Sequence, residues 1–338
     1  MIFSHFSGVF GLFENKKLIE SGFSGFADKN FGIKNNTDFC YGTASGTKGF
    51  TAVAILSLVA NKKLGLDDCA KTILLNSKGS AEKYGSLEWL SDGVTIRSLL
   101  NHTSGVPDYF DEDFMDDFVA ALCGNANYQY ERPEDFFPLT ENMWRKLEIP
   151  YSSAGSFKYS NGGFVLLAAI VEAVSGMDFP QFVRENIFSK FGMEKTNFYR
   201  LDEVPPVGIV RATGYQENGR NNIYSIPVIG GGDGGAFTTV SDMARFWHAL
   251  DPDLYPDSKL SPLIEEAWTP RIGGDDGFYG LGFWIRKENT KIVFLEGFDP
   301  GVQFFSFYNR NTKRSLTICL NDDKMNCNEI FEKYFDLL

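Results

Sequence analysis

From Ser45 to about Asn61 the chain is apolar on every side of a helical wheel, with Phe50, Val53, Ile55, Leu56, Leu58 and Val59 at all angular positions. A helix with no polar face has to be covered all round by the rest of the protein. Gly162 to Ser175 has the same character and stops at Gly176. Two such helices demand a large core, and the chain has the material for one: 338 residues, 43% of them hydrophobic, including 32 Phe. A disordered or fibrous chain is thereby excluded, and the length allows one large domain or two smaller ones.

Strand patterns lie at the two ends. Gly8 to Phe13 and Leu18-Ile19 flank a polar Glu14-Asn15-Lys16-Lys17 turn, which predicts an antiparallel hairpin. Near the other end, Ile292 to Leu295, Val302 to Tyr308 and Ser315 to Leu320 read as strands, and a short helix follows from about Asn326. The middle reads as helical. Gly65 with Leu66-Asp67-Asp68 marks the end of the first apolar helix, and Thr95 caps a helix running to Leu100. The acidic, aromatic stretch Asp111 to Pro150 reads as helices and loops of a cap. Thr239 or Ser241 caps a helix after the glycine cluster Gly230 to Gly235. This order predicts an α/β (α+β) chain: one antiparallel sheet assembled from both ends, with flanking helices and an inserted helical region. The expected division is a single domain with a sheet part at about 1–60 and 205–338 and a helical part at about 61–204.

Charge and ligand chemistry narrow the function. The net charge is −12 with no Lys/Arg-rich block, so a nucleic-acid partner is not expected. Five cysteines, with no CxxC pair, predict reduced and mostly buried thiols. Three histidines at unrelated spacings predict no metal site, and no cofactor motif occurs. The N-terminus lacks a basic segment before an apolar one, and the longest apolar run is interrupted by Glu172. The expectation is a cytoplasmic protein without membrane insertion, acting on a small-molecule or peptide substrate. The oligomeric state is not legible.

One spacing carries nucleophile chemistry. Ser45-Gly46-Thr47-Lys48 fits S-x-x-K, which on a helix puts hydroxyl and amine on one face. Ser45 stands at the helix N-terminus, where free N–H groups favour a developing negative charge. A buried lysine loses preference for its charged form and can take a proton. Ser80-Ala81-Glu82-Lys83 repeats the spacing in a polar, glycine-flanked stretch and reads as coincidence. Among 14 tyrosines only Tyr159 fits Tyr-x-Asn, as Tyr159-Ser160-Asn161, directly before the second apolar helix. Tyr159 can act as acid or base for the serine, and Asn161 can orient the lysine or bind a substrate amide.

Ser45 to Ala52, Ser98 to Tyr109, Tyr159 to Phe164, Phe191 to Thr196, Gly234 to Thr239 and Tyr279 to Trp284 together resemble, in order, the class C β-lactamases, DD-peptidases and related esterases. The resemblance runs from about Phe6 to Leu320. It implies a β-lactamase/transpeptidase-like fold and a serine hydrolase acting on an ester, amide or D-amino-acid peptide bond. It implies further that Ser45 is acylated, that Lys48 and Tyr159 exchange its proton, and that Asn161 positions the substrate.

One family element departs. Aligning on Pro300-Gly301 puts Leu295-Glu296-Gly297 where relatives carry Lys-Thr-Gly or His-x-Gly, with Phe298 offering the second oxyanion N–H and Gly297 beside it. Leu295 cannot bind a substrate carboxylate, and Glu296 would repel one if it faced the pocket. An ester, amide or peptide without a carboxylate there is therefore expected. A non-catalytic, ligand-binding descendant of the fold is the alternative. His102 with Asp108 suggests a Ser/His/Asp triad, but no Gly-x-Ser-x-Gly elbow occurs and the segment reads as structural. Asp233, in the glycine cluster, could face the pocket, but reads rather as a turn carboxylate.

Overall fold

In the computed structural model, which describes residues 5–110, 129–146, 155–273 and 277–338, the two chain ends lie side by side in one sheet. Gly8–Glu14 pairs antiparallel with Arg314–Leu320 on one side and with Lys17–Ser24 on the other. The predicted hairpin turn has Asn15 and Lys16 both at positive φ, 46° and 68°. That mirror-image turn matches the twist of the strands it joins. The sheet continues through Val302–Asn309 and Ile292–Asp299 to three two-residue strands, Trp284–Ile285, Phe278–Tyr279 and Ile272–Gly273. These short strands hold too few residues to show an alternating pattern in sequence.

Alternation along the long strands fills both faces of the sheet. Val9 and Phe13 join a large core with the helices, while Phe10 and Leu12 face the helix Asn328–Tyr334. Phe10 stacks on Tyr334 there at 4.8 Å between ring centroids.

The first apolar helix spans Thr47–Ala60, and Ser45 sits in the tight turn Ala44–Gly46 that leads into it. It ends before Gly65: Asn61 closes it and Lys62 turns the chain at φ 57°. Leu64 and Leu66 then return to the core, which draws the chain off the helix axis. Phe50 makes edge-to-face contacts with Phe188 and Phe246, both at 5.0 Å. The second apolar helix, Asn161–Ser175, starts one residue earlier than Gly162 because Ser160 caps it, and it ends at Gly176 with φ 72°. Thr95 forms a capping box with Ser98, and of the two candidates Thr239 caps the helix Val240–Leu250.

Of the acidic stretch Asp111 to Pro150, residues 111–128 and 147–150 lie outside the described residues; the remainder holds the helix Phe137–Lys146. One core cluster joins sheet residues such as Val293 and Cys319 to Leu99 and Phe164 of the helices. Among the described residues no single helix is long and apolar enough to cross a membrane. Cys40, Cys319 and Cys327 are buried free thiols and Cys69 is half-buried, while Cys123 lies outside the described residues. Desolvation raises the Cys40 thiol pKa to about 12.

Candidate active site

The turn that carries Ser45 is pressed against the sheet. A Cβ on Gly297 would lie 2.5 Å from Ser45 N, 2.7 Å from Gly46 N and 2.4 Å from Thr43 O. Only a glycine lets strand Ile292–Asp299 approach so closely. Leu295, two residues back on the same face, packs over Gly49 in the first turns of the helix. Pro300-Gly301 then turns the strand, with Gly301 at φ 75° against the backbone of Gly214.

Lys48 is 2% exposed and its Nζ donates to Ser45 Oγ at 3.0 Å, Asn161 Oδ1 at 2.6 Å and the Asp233 carbonyl at 2.6 Å. Desolvation lowers its pKa to about 8, against the opposing pull of Asp233, Asp108 and Asp299. Tyr159 lies beside it, with Nζ 4.9 Å from the ring centroid. Burial pushes the phenol well above its usual range, although a hydrogen bond with Ser45 favours the phenolate.

Asn161 is oriented from behind. Its Nδ2 donates to both carboxylate oxygens of Asp108, at 3.2 and 3.1 Å, which leaves Oδ1 for Lys48. Asp108 is buried, and desolvation raises its pKa to about 6. Ser160 Oγ accepts from Gly163 N and donates to the Pro107 carbonyl, tying the helix start to the 98–109 segment.

His102 has a structural position. Its Nδ1 accepts from the Ser160 backbone N–H at 3.1 Å, so Nε2 carries the proton, and its ring lies 4.4 Å from that of Tyr159. Burial, then the Lys48 charge, hold it well below its usual pKa. It buttresses the tyrosine and does not touch the serine. The repeated spacing at Ser80 is also accounted for: Ser80 Oγ donates to the Leu75 carbonyl, and Lys83 pairs with Glu172 at 2.5 Å.

Ser45, Asn161 and Phe298 line a cavity of about 920 Å3, with an aromatic wall that includes Tyr109, Phe110, Phe136 and Tyr199. Phe298 is 58% exposed at its edge. Two expectations change here. Asp233 lines the cavity, its carbonyl accepting from Lys48 and its carboxylate from Tyr109 Oη, because the glycine cluster folds over the turn that carries Ser45. Leu295 and Glu296 do not line the cavity: Leu295 packs into the core over Gly49, while the Glu296 charge still reaches Tyr159 and helps to raise its pKa.

Sequence reasoning missed Asp299, which lines the cavity, and the orienting role of Asp108. Asp299 immediately precedes the Pro300-Gly301 turn, and Asp108 stands next to last in the 98–109 motif; those positions were the available signals.

The Beta-lactamase family model matches residues 4–337. The chain is 30% identical to "Penicillin-binding protein 4*" of Bacillus subtilis (strain 168), over 82% of this chain and 59% of that protein. It therefore spans less than two thirds of that relative. The "Putative penicillin-binding protein PbpX" of the same strain is 26% identical, over 93% of this chain and 70% of the relative. Among solved structures, the penicillin binding protein from Bacillus halodurans superposes with a TM-score of 0.83 at 32% identity, covering 98% of this chain and 97% of that one. D-amino acid amidase from Ochrobactrum anthropi SV3 shares the fold, with a TM-score of 0.73 at 21% identity over 97% and 92% of the two chains. With a match from end to end and the same sheet of both chain ends, the chain belongs to the β-lactamase family, in its serine β-lactamase and penicillin-binding-protein-like group.

Proposed function

We propose that the protein is a serine hydrolase that cleaves an ester, amide or D-amino-acid peptide bond through an acyl-enzyme on Ser45. The observation that carries this reading is Lys48 Nζ at 3.0 Å from Ser45 Oγ, at the edge of a large cavity. In this reading neutral Lys48 takes the Ser45 proton as Oγ attacks the carbonyl carbon. The oxyanion receives the backbone N–H groups of Ser45 and Phe298, with Gly297 allowing their approach; losing one such donor costs about 10²–10³ in rate. Tyr159, whose phenol stays protonated at neutral pH, hands a proton to the leaving group and is reprotonated from Lys48. Asn161 holds the lysine and the substrate amide. Water then attacks the ester carbon of acyl-Ser45, releasing the acid and restoring the hydroxyl.

The names of the relatives support acyl transfer with penicillins as pseudo-substrates, and the amidase fold-mate is consistent with amide cleavage. The test is the intact mass after incubation with a penicillin. We expect an adduct equal to the penicillin mass, formed slowly because the probe's own carboxylate meets an acidic cavity wall, that Ser45→Ala abolishes. A protein that forms no adduct, and hydrolyses neither p-nitrophenyl acetate nor a penicillin, would instead be the non-catalytic binding descendant.

A further inference from the structure

The cavity that holds Ser45 is walled by carboxylates. Asp233, Asp299, Asp323 and Glu217 line it, and none of its described lining residues is Lys, Arg or His. The residues outside the described set cannot reverse that sign, because they contain no Lys, Arg or His and eight carboxylates. Lys48 does not line the wall; its three donors are turned inward to Ser45, Asn161 and the Asp233 carbonyl.

Two of the four acids have partners. Tyr109 Oη donates to Asp233, and the Gly301 backbone N–H donates to Asp323 at 2.8 Å. The Asp299 carboxylate makes no hydrogen bond or ion pair with any described residue, its backbone being paired with Val302, and it stands one residue beyond Phe298 in the wall that holds Ser45. Desolvation and the nearby Asp233 carboxylate raise its pKa to about 7, a shift that a cation bound beside it would oppose.

We infer that the cavity selects acyl donors carrying an ammonium group, an aminoacyl ester or amide with a free amine, and that Asp299 is the counter-ion that sets this preference. This deepens the serine-hydrolase reading and rests on it. An anionic acyl donor would meet like charge at short range and no cation in the wall, while a neutral one would leave Asp299 unpaired. The aromatic wall leaves room for an apolar side chain next to the amine.

The test uses alanine p-nitroanilide in both enantiomers, with its N-acetyl and N-succinyl derivatives, at pH 8. Dissociation constants are measured on Ser45→Ala protein and kcat/KM on the intact enzyme. For at least one enantiomer, the free-amine probe should bind about tenfold or more tightly than the acetylated one, and the succinylated probe should bind weakest. Asp299→Asn should cut the free-amine to acetyl ratio about tenfold, and added salt should reduce it in the parent protein. Equal binding of the three probes, a preference for the succinylated one, or a ratio that Asp299→Asn leaves unchanged would overturn the inference. Because binding is read on the Ser45→Ala protein, loss of the acyl-transfer reading and loss of the charge preference are seen separately.

Discussion

With Nζ donating to three oxygens, Lys48 rests in its protonated geometry, while desolvation lowers its pKa to about 8. Only the neutral amine can accept the Ser45 proton, so the acylation rate should rise with pH and level off above about 8. Single-turnover acylation from pH 6 to 10 checks this; a flat profile would remove Lys48 as the base. Asp299 shows the opposite balance. Its carboxyl holds a proton in the folded state up to about pH 7, whereas the unfolded chain releases it near 3.8. Between those values the unfolded state is the more ionised, so stability falls as pH rises and the full cost is present above 7. Asp299→Asn should therefore stabilise the protein by roughly 1–3 kcal/mol at pH 8, discounted for partial exposure, with the gain shrinking towards pH 4. Thermal unfolding of both proteins across that range measures it. A group that destabilises the folded protein in this way has the character of a functional residue.

At the scale of elements, the site is a contact between one helix start and one strand. Every close neighbour of a Cβ added to Gly297 is backbone: Thr43 O, Ser45 N and Gly46 N. None can rotate away, so Gly297→Ala must move the strand or the turn. We expect a loss of about 10² or more in kcat/KM from a displaced oxyanion N–H, together with a destabilisation of about 1–3 kcal/mol from overpacking. Steady-state kinetics and urea unfolding read the two effects separately. Retained activity would show that the strand and the turn are not matched as tightly as the geometry states. Helix ends were well legible in sequence where a cap did the work, as at Thr95 and Gly176, because capping is a local interaction. The first helix was read to about Asn61, and the structure closes it there, with Lys62 turning the chain at φ 57°.

Across the whole molecule, a single hydrophobic cluster runs from the sheet through both apolar helices. Phe50 lies at 0% exposure between Phe188 and Phe246, so Phe50→Ala should cost about 3–5 kcal/mol. Because one core is shared, far-UV dichroism and tryptophan fluorescence should shift together in urea; separate transitions would mean that the two regions unfold independently. The sequence by itself determined the two buried helices, the sheet drawn from both chain ends, and the grouping of Ser45, Lys48, Tyr159 and Asn161. The helices and strands rest on periodicity and the Ser45/Lys48 and Tyr159/Asn161 pairs on short spacing, which report local geometry. Joining the two pairs rests on the resemblance of the ordered motifs to the β-lactamase and DD-peptidase group. Only the tertiary structure decided which carboxylates face the serine. Leu295 and Glu296 stand nearest in the motif yet do not line the cavity, whereas Asp233 and Asp299 do. The close packing of strand Ile292–Asp299 on the turn at Ser45 and the fold of a glycine loop set those directions, and both depend on contacts between residues far apart in the chain.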